Sequence, residues 1–245
     1  MQKIERKQAG FTLIEIAVVL VIVGFLVGSF IGTFAGRIDT TRRSNTQIEL
    51  DEIKNVLMAY AYSQPLPFLP CPDTDVPPDG LENRTAGICD APGVGVLPWL
   101  DLGVGNEDAW GIRYSYWVSA NYSADTGFLL SAPDRLPLNN GNATVVTKVG
   151  NAVQVVVQNA AAVVFSRGKN GLGGINVSGV NQPAIPAPGN GHDDENENND
   201  LDAFFVWRTP TEEGAVAAGG IFDDIVVWIN SYELKARMVE ADVLP

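Results

Sequence analysis

Three groups of residues in this 245-residue chain have types and spacings that can do chemistry. The first is a single carboxylate, Glu15, near the start of an apolar run. From Phe11 to Gly36 no other charged side chain occurs. An acid at bilayer depth costs roughly 2.5–3.5 kcal/mol even on the lenient insertion scale, so it requires a positive partner. Cutting after Gly10 creates one, because it frees the α-amino group of Phe11 on the same stretch of chain. The second group is the acidic segment His192-Asp193-Asp194-Glu195-Asn196-Glu197-Asn198-Asn199-Asp200. Calcium takes about six to eight oxygen ligands from such side chains, and the glycines between Gly168 and Gly191 let a backbone fold around an ion. Asn170, Asp193, Asp194, Glu195 and Asp200 are the candidate ligands of a structural calcium site. The competing reading is a solvated acidic loop, the usual fate of a charge run. Asp73, Asp75 and Asp79 form a weaker candidate, because Pro77 and the missing distal Glu break the EF-hand pattern. The third group is Cys71 and Cys89, the only two cysteines, flanking a loop rich in Pro, Gly and Asp. A disulfide there would stabilise by roughly 3 kcal/mol in the chain-entropy model. The alternative is a pair of buried thiols. Neither a zinc site nor a Cys-x-x-Cys redox motif fits the spacing.

Enzymatic readings find no foothold. His192 is the only histidine, and it stands inside the acidic segment with no nucleophile at a recognisable spacing. The chain has no Gly-x-Ser-x-Gly, no phosphate-binding Gly-x-x-x-x-Gly-Lys-[Ser/Thr] and no His-Glu-x-x-His. No catalytic residue and no required cofactor is therefore expected, and the chain is not expected to be an enzyme. Nucleic acid is not an expected partner, because a formal net charge of −13 supplies few cations for phosphates. Trp99, Trp110, Trp117, Trp207 and Trp228 read as core or sheet-face residues rather than a ligand platform.

The elements that must position these groups are legible in outline. The apolar run is long enough to span a bilayer, for which about 20 residues suffice. Gly24, Gly28, Gly32 and Gly36 fall on one face of it. Small residues at that spacing allow close helix packing in lipid, and glycine also weakens a helix. Packing and softness both remain open. Ile48, Ile53, Val56, Leu57 and Tyr60 continue an apolar face until Pro65 and Pro67 end the helix. Such a helix from Phe11 to about Ser63 would be about 80 Å long. Beyond it, 111–120, 128–131, 143–148, 152–158, 161–166, 203–208 and 222–229 read as strands. A final amphipathic helix is predicted over 231–240. Strands joined by short turns predict an α+β class with an antiparallel sheet.

Gly10-Phe11-Thr12-Leu13-Ile14-Glu15, preceded by Lys3, Arg6 and Lys7, resembles the signal of type IV prepilins and type II secretion pseudopilins. Two head segments are similar to stretches of major pseudopilins: Asp108-Ala109-Trp110-Gly111 with Tyr114 and Tyr116, and Ser166-Arg167-Gly168-Lys169-Asn170-Gly171-Leu172-Gly173-Gly174. The second matches a loop that leads into a calcium site in that family. The resemblance implies a leader at 1–10 removed between Gly10 and Phe11 by a prepilin peptidase and N-methyltransferase, with methylation of Phe11. It implies a long helix at 11–64, transmembrane at 11–36, and a pilin-like head at 65–245. Other pilin or pseudopilin subunits and the bacterial inner membrane are the implied partners, with Glu15 neutralising a neighbour's terminal amine on assembly. The Lys/Arg count on the two sides of the span is tied. The short leader and the two cysteines place the head in the periplasm, as a single-pass protein that enters a filament after assembly. The head's size favours a minor subunit, and a membrane-anchored adhesin or binding module carried on a pilin-type helix is the second reading.

Overall fold

The computed structural model describes residues 12–90, 93–130, 142–149, 152–200, 202–211 and 218–244, and within them the side chains of all but 29–35. The chain divides into two units, Met1–Arg42 and Arg43–Pro245. A helix, α1 (Leu13–Ser63), runs through both of them. In the first unit its described apolar side chains are exposed, from Leu13 at 89% to Val27 at 52%.

In the second unit the helix changes character. Leu50, Ile53, Leu57 and Ala61 recur at helical spacing and are buried. Ile48, expected on that face, is 62% exposed, and Leu50 takes its place in the core. Around this face stand β1 (Arg84–Thr85), β2 (Ile88–Cys89), β3 (Val94–Val96), α2 (Trp99–Leu102), β4 (Ser115–Val118), α3 (Ala120–Ser123), β5 (Ala143–Val149), β6 (Ala152–Ser166), α4 (Asp193–Glu197), β7 (Phe204–Val206), β8 (Ile225–Asn230) and α5 (Ser231–Glu240). The fold is a mixed α+β arrangement.

The main sheet has the order β3-β4-β6-β5-β7, with β8 also paired to β6. The second half of β6 is sandwiched between β4 and β8, while its first half pairs with β5. Register shifts at 160–162 and near 143–146 mark where the ladder is interrupted, and such bulges bend and twist a strand. The sheet curls, so Phe205 of β7 packs against both Trp117 and Phe165. One core lies on the α1 side, with Tyr114, Tyr116, Val118, Leu234 and Met238. A second core lies on the other face, around Trp117, Val163, Phe165 and Val226.

The expected antiparallel sheet holds except at one edge, where β5 and β7 run parallel. The two strands expected over 152–158 and 161–166 are a single strand, because the polar interruption at Asn159 is absorbed within the ladder rather than turning the chain. Residues 128–130 of the strand expected at 128–131 form no strand. Phe128 is instead buried against Tyr122, its N–H held by Pro67 O at 3.0 Å. The final helix occupies its predicted span, capped where the Asn230 side chain accepts from Tyr232 N at 2.9 Å. Cys71 and Cys89 form a disulfide.

Candidate functional site

Gly10 and Phe11 lie outside the described residues. Their neighbour Thr12 accepts from Glu15 N through both its hydroxyl, at 3.3 Å, and its carbonyl, at 3.1 Å. Thr12 therefore acts as an N-cap with Glu15 three positions on, the Thr-x-x-Glu spacing of a capping box. A negative side chain also suits the positive end of the helix. Sequence reasoning passed over this local role, although the spacing carries it. Among the described residues Glu15 has no ion-pair partner. A Cβ at Gly24, Gly28 or Gly36 would meet nothing within 4 Å, so the stripe packs on none of the described residues at these positions. Gly32 falls among the residues whose side-chain surroundings are not described. Among the described residues no helix is long and apolar enough to cross a membrane. The apolar stretch described in full stops at Gly28, short of the ~20 residues a span requires.

The Asp108-Ala109-Trp110-Gly111 segment proves to be a clamp for α1. Asp108 accepts from Trp110 N at 2.9 Å, Ile112 N at 3.0 Å and the Ser166 hydroxyl at 2.5 Å. Held in that turn, Ala109 N donates to the buried Thr46 hydroxyl of α1 at 3.2 Å. One helical turn on, Glu49 accepts from the Tyr114 hydroxyl at 2.5 Å. Burial and the Glu49 hydrogen bond push the Tyr114 phenol far above its ordinary range, so it stays a donor. Tyr116 donates to Pro70 O at 3.0 Å and is fully buried.

The acidic segment does not act as one cluster. Asp194 is buried between two cations, Lys148 and Arg208, the latter at 2.6 Å. Asp193 accepts from Gly189 N at 2.5 Å. Asp200 groups with Glu197 and Asp202 instead. Asn170 and Glu195 do meet, with Asn170 Nδ2 donating to Glu195 Oε1 at 2.8 Å. Asn170 Oδ1 already accepts from Leu172 N at 2.9 Å. Of the five expected ligands, Glu195 alone brings a carboxylate to a further triad, with half-buried Asp223 and buried Asp224. No short-range sequence signal marks this pair, which stands just before β8. Asp73, Asp75 and Asp79 are also within mutual reach, but Asp73 spends its oxygens on Asp75 N and Gly80 N, at 3.0 and 2.6 Å.

The triad is assembled by backbone geometry. Gly168 adopts φ 62°, and a Cβ there would meet Asp223 O at 2.3 Å, so only glycine fits. The loop that follows gives Asn170 N to Asp223 Oδ2 at 2.8 Å, and Asp223 N donates to Glu195 Oε1 at 3.1 Å. Asp224 accepts from Asn198 Nδ2 at 2.9 Å, and His192 Nδ1 pairs with Glu195 at 2.7 Å. Burial pushes the Asp223 carboxyl up to about 7, with the nearby Glu195 charge adding to the rise. Burial also pushes Asp224 up to about 7, against the pull of the Arg167 guanidinium. Carboxylate oxygens of the three residues lie within 4.8 Å of one another. Asp223 Oδ1 is buried with no hydrogen-bond partner. A hard divalent cation fits this donor set, since it would relieve the repulsion and give that oxygen a partner.

Residues 6–31 match the family model of the prokaryotic N-terminal methylation motif, the signature of type IV pilins and pseudopilins. No curated protein and no solved structure matches the chain.

Proposed function

We propose that this chain is the precursor of a pilin-like subunit, cut between Gly10 and Phe11, methylated at Phe11, and assembled through α1 into a type IV pilus or type II secretion pseudopilus. The observation that carries the reading is the exposed apolar helix behind the methylation motif. Among the described residues, large apolar side chains from Leu13 to Val27 are about half exposed or more. Surface of that kind marks a membrane or a partner interface. Lipid before assembly and a bundle of like helices after it would each supply the cover. Glu15 would then accept the terminal amine of an adjoining subunit and set the register, leaving no bare acid in an apolar core. The same reading makes the precursor a single-pass inner-membrane protein with its head in the periplasm, and the size of the head makes it a minor subunit.

The head's part is mechanical. The Asp108–Gly111 turn and Tyr114 fasten the carboxyl half of α1 to the sheet, so a load on the helix reaches the folded body through partly buried hydrogen bonds. Glu195, Asp223 and Asp224 would hold a divalent cation of calcium type, which would tie the loop after β6, α4 and the approach to β8 together. Its chemistry there is cross-linking alone.

Two experiments test this. A Gly10→Val precursor expressed in cells should keep its leader and be missing from sheared filaments, where the wild-type chain is found. Filaments containing the uncut variant at wild-type level would refute the assembly reading. Calcium should raise the melting temperature of the protein by several degrees over a chelator-treated sample, and Asp223→Asn should remove the response. Equal melting with and without calcium would dismiss the cation site.

A further inference from the structure

Apart from the acidic triad, the head contains a cavity of about 280 Å³ bounded by the 73–76 loop, β3, the start of β4 and the 173–175 loop. Arg113 and Arg167 both line it. They are only 8% and 3% exposed. Each guanidinium lies over an aromatic ring, Arg113 on Trp99 at 3.9 Å and Arg167 on Phe165 at 4.7 Å. Neither has an ion-pair partner among the described residues. Each also retains one buried N–H donor without an acceptor, Nε of Arg113 and Nη1 of Arg167.

Acids lie near both cations, Asp73 and Glu107 by Arg113 and Asp224 and Glu195 by Arg167, but none is bonded to them, and a buried charge without a bonded partner is costly. The nearest acids are committed elsewhere. Asp73 accepts from two backbone amides, Asp224 from Asn198, and Glu195 from Asn170 and Asp223. What the cavity offers, then, is a wall carrying two guanidinium groups, neither bonded to a carboxylate among the described residues. Ser115 sharpens the offer: its oxygen accepts from Arg167 Nε at 3.1 Å, which leaves its hydroxyl proton to donate. The planar fork of arginine matches carboxylate and phosphate alike. Asp73 in the wall and exposed Asp75 at its edge decide between them, since they would repel a dianion more than a monoanion.

We propose that this cavity binds a carboxylate, held by Arg113, Arg167 and the Ser115 hydroxyl. The carboxylate is either that of a small free acid or an acidic side chain presented by a protein segment. The site does not depend on the filament reading.

The test uses the full-length protein in detergent micelles, with melting temperature followed against four probes. These are N-acetylglycine, its neutral counterpart N-acetylglycinamide, inorganic phosphate, and the end-blocked peptide Gly-Gly-Glu-Gly-Gly. N-acetylglycine or the peptide should raise the melting temperature saturably, as a ligand selective for the folded state must, and the neutral amide should not. A stronger response to the peptide assigns a protein-borne acid, and a stronger response to N-acetylglycine assigns a free one. Arg167→Gln and Arg113→Gln should each weaken the apparent affinity by about tenfold or more. Should either fail to fold, Val94→Trp fills the cavity while leaving both arginines, and should abolish the response with circular dichroism unchanged. The proposal is overturned by no response to either carboxylate, by an equal response to the neutral amide, by tighter binding of phosphate, or by undiminished binding in a folded variant.

Discussion

Asp224 shows how a single buried carboxyl makes stability depend on pH. Its pKa in the folded protein is about 7, against an ordinary value of 3.8. Between those values the folded state holds a proton that the unfolded state has released, so this contribution is complete below the lower value and is lost as pH rises through the upper one. Asp223 behaves in the same sense. In chelator, therefore, Asp224→Asn, which mimics the protonated acid, should raise the melting temperature at pH 8 by a few degrees. The difference from wild type should shrink toward pH 4, as thermal melts across that range would record. A variant that is less stable than wild type at pH 8 would contradict the assignment. Glu15 teaches a different lesson at the same scale, since one residue serves two ends. Its backbone N–H bonds the capping Thr12 within its own chain, and under the proposed function its carboxylate meets an amine outside it.

At the scale of elements, α1 is one helix with two kinds of surface. Its carboxyl half is held by Leu50, Ile53, Leu57 and Ala61, by the Asp108 turn, and by Lys54 pairing with Glu233 of α5 at 2.8 Å. Leu57→Ala should cost about 2–5 kcal/mol, the usual range for a fully buried leucine. Ile48→Ala, on the exposed side, should stay within about 0.5 kcal/mol. Denaturant unfolding of the two variants would check the difference, and equal losses would place the helix face wrongly. The long helix and α5 were legible because both carry caps or prolines at their ends and apolar residues at helical spacing. The strands were legible where β-branched and aromatic residues cluster, as at Tyr116-Trp117-Val118. Phe128 was misread because an apolar residue buried by a loop carries the same local signal as one buried by a sheet. The parallel β5–β7 pair was not legible at all, since pairing direction follows from long-range topology that no local pattern records.

For the whole molecule, the same boundary separates what sequence could and could not reveal about function. Gly10, Phe11 and Glu15 stand in one short stretch inside residues 6–31, which match the methylation-motif model, and the proposed function makes them the cut site, the methylated residue and the register-setting acid. The acidic triad joins residues 195, 223 and 224 through a backbone fold, and the arginine-lined cavity joins residues 113 and 167 through the β4–β6 pairing. Neither constellation has a spacing to detect. Charged runs advertise themselves in sequence, yet the Asp193–Asp200 run mostly serves internal pairing, as Asp194 does with Lys148 and Arg208. The account as a whole depends on the leader being removed, because only then does an amine exist at Phe11 for Glu15 to meet. Mass spectrometry of the protein purified from cells with a working processing peptidase is the direct measurement. The account predicts a mature chain beginning at N-methylated Phe11 with residues 1–10 gone, and a chain that still begins at Met1 would contradict it.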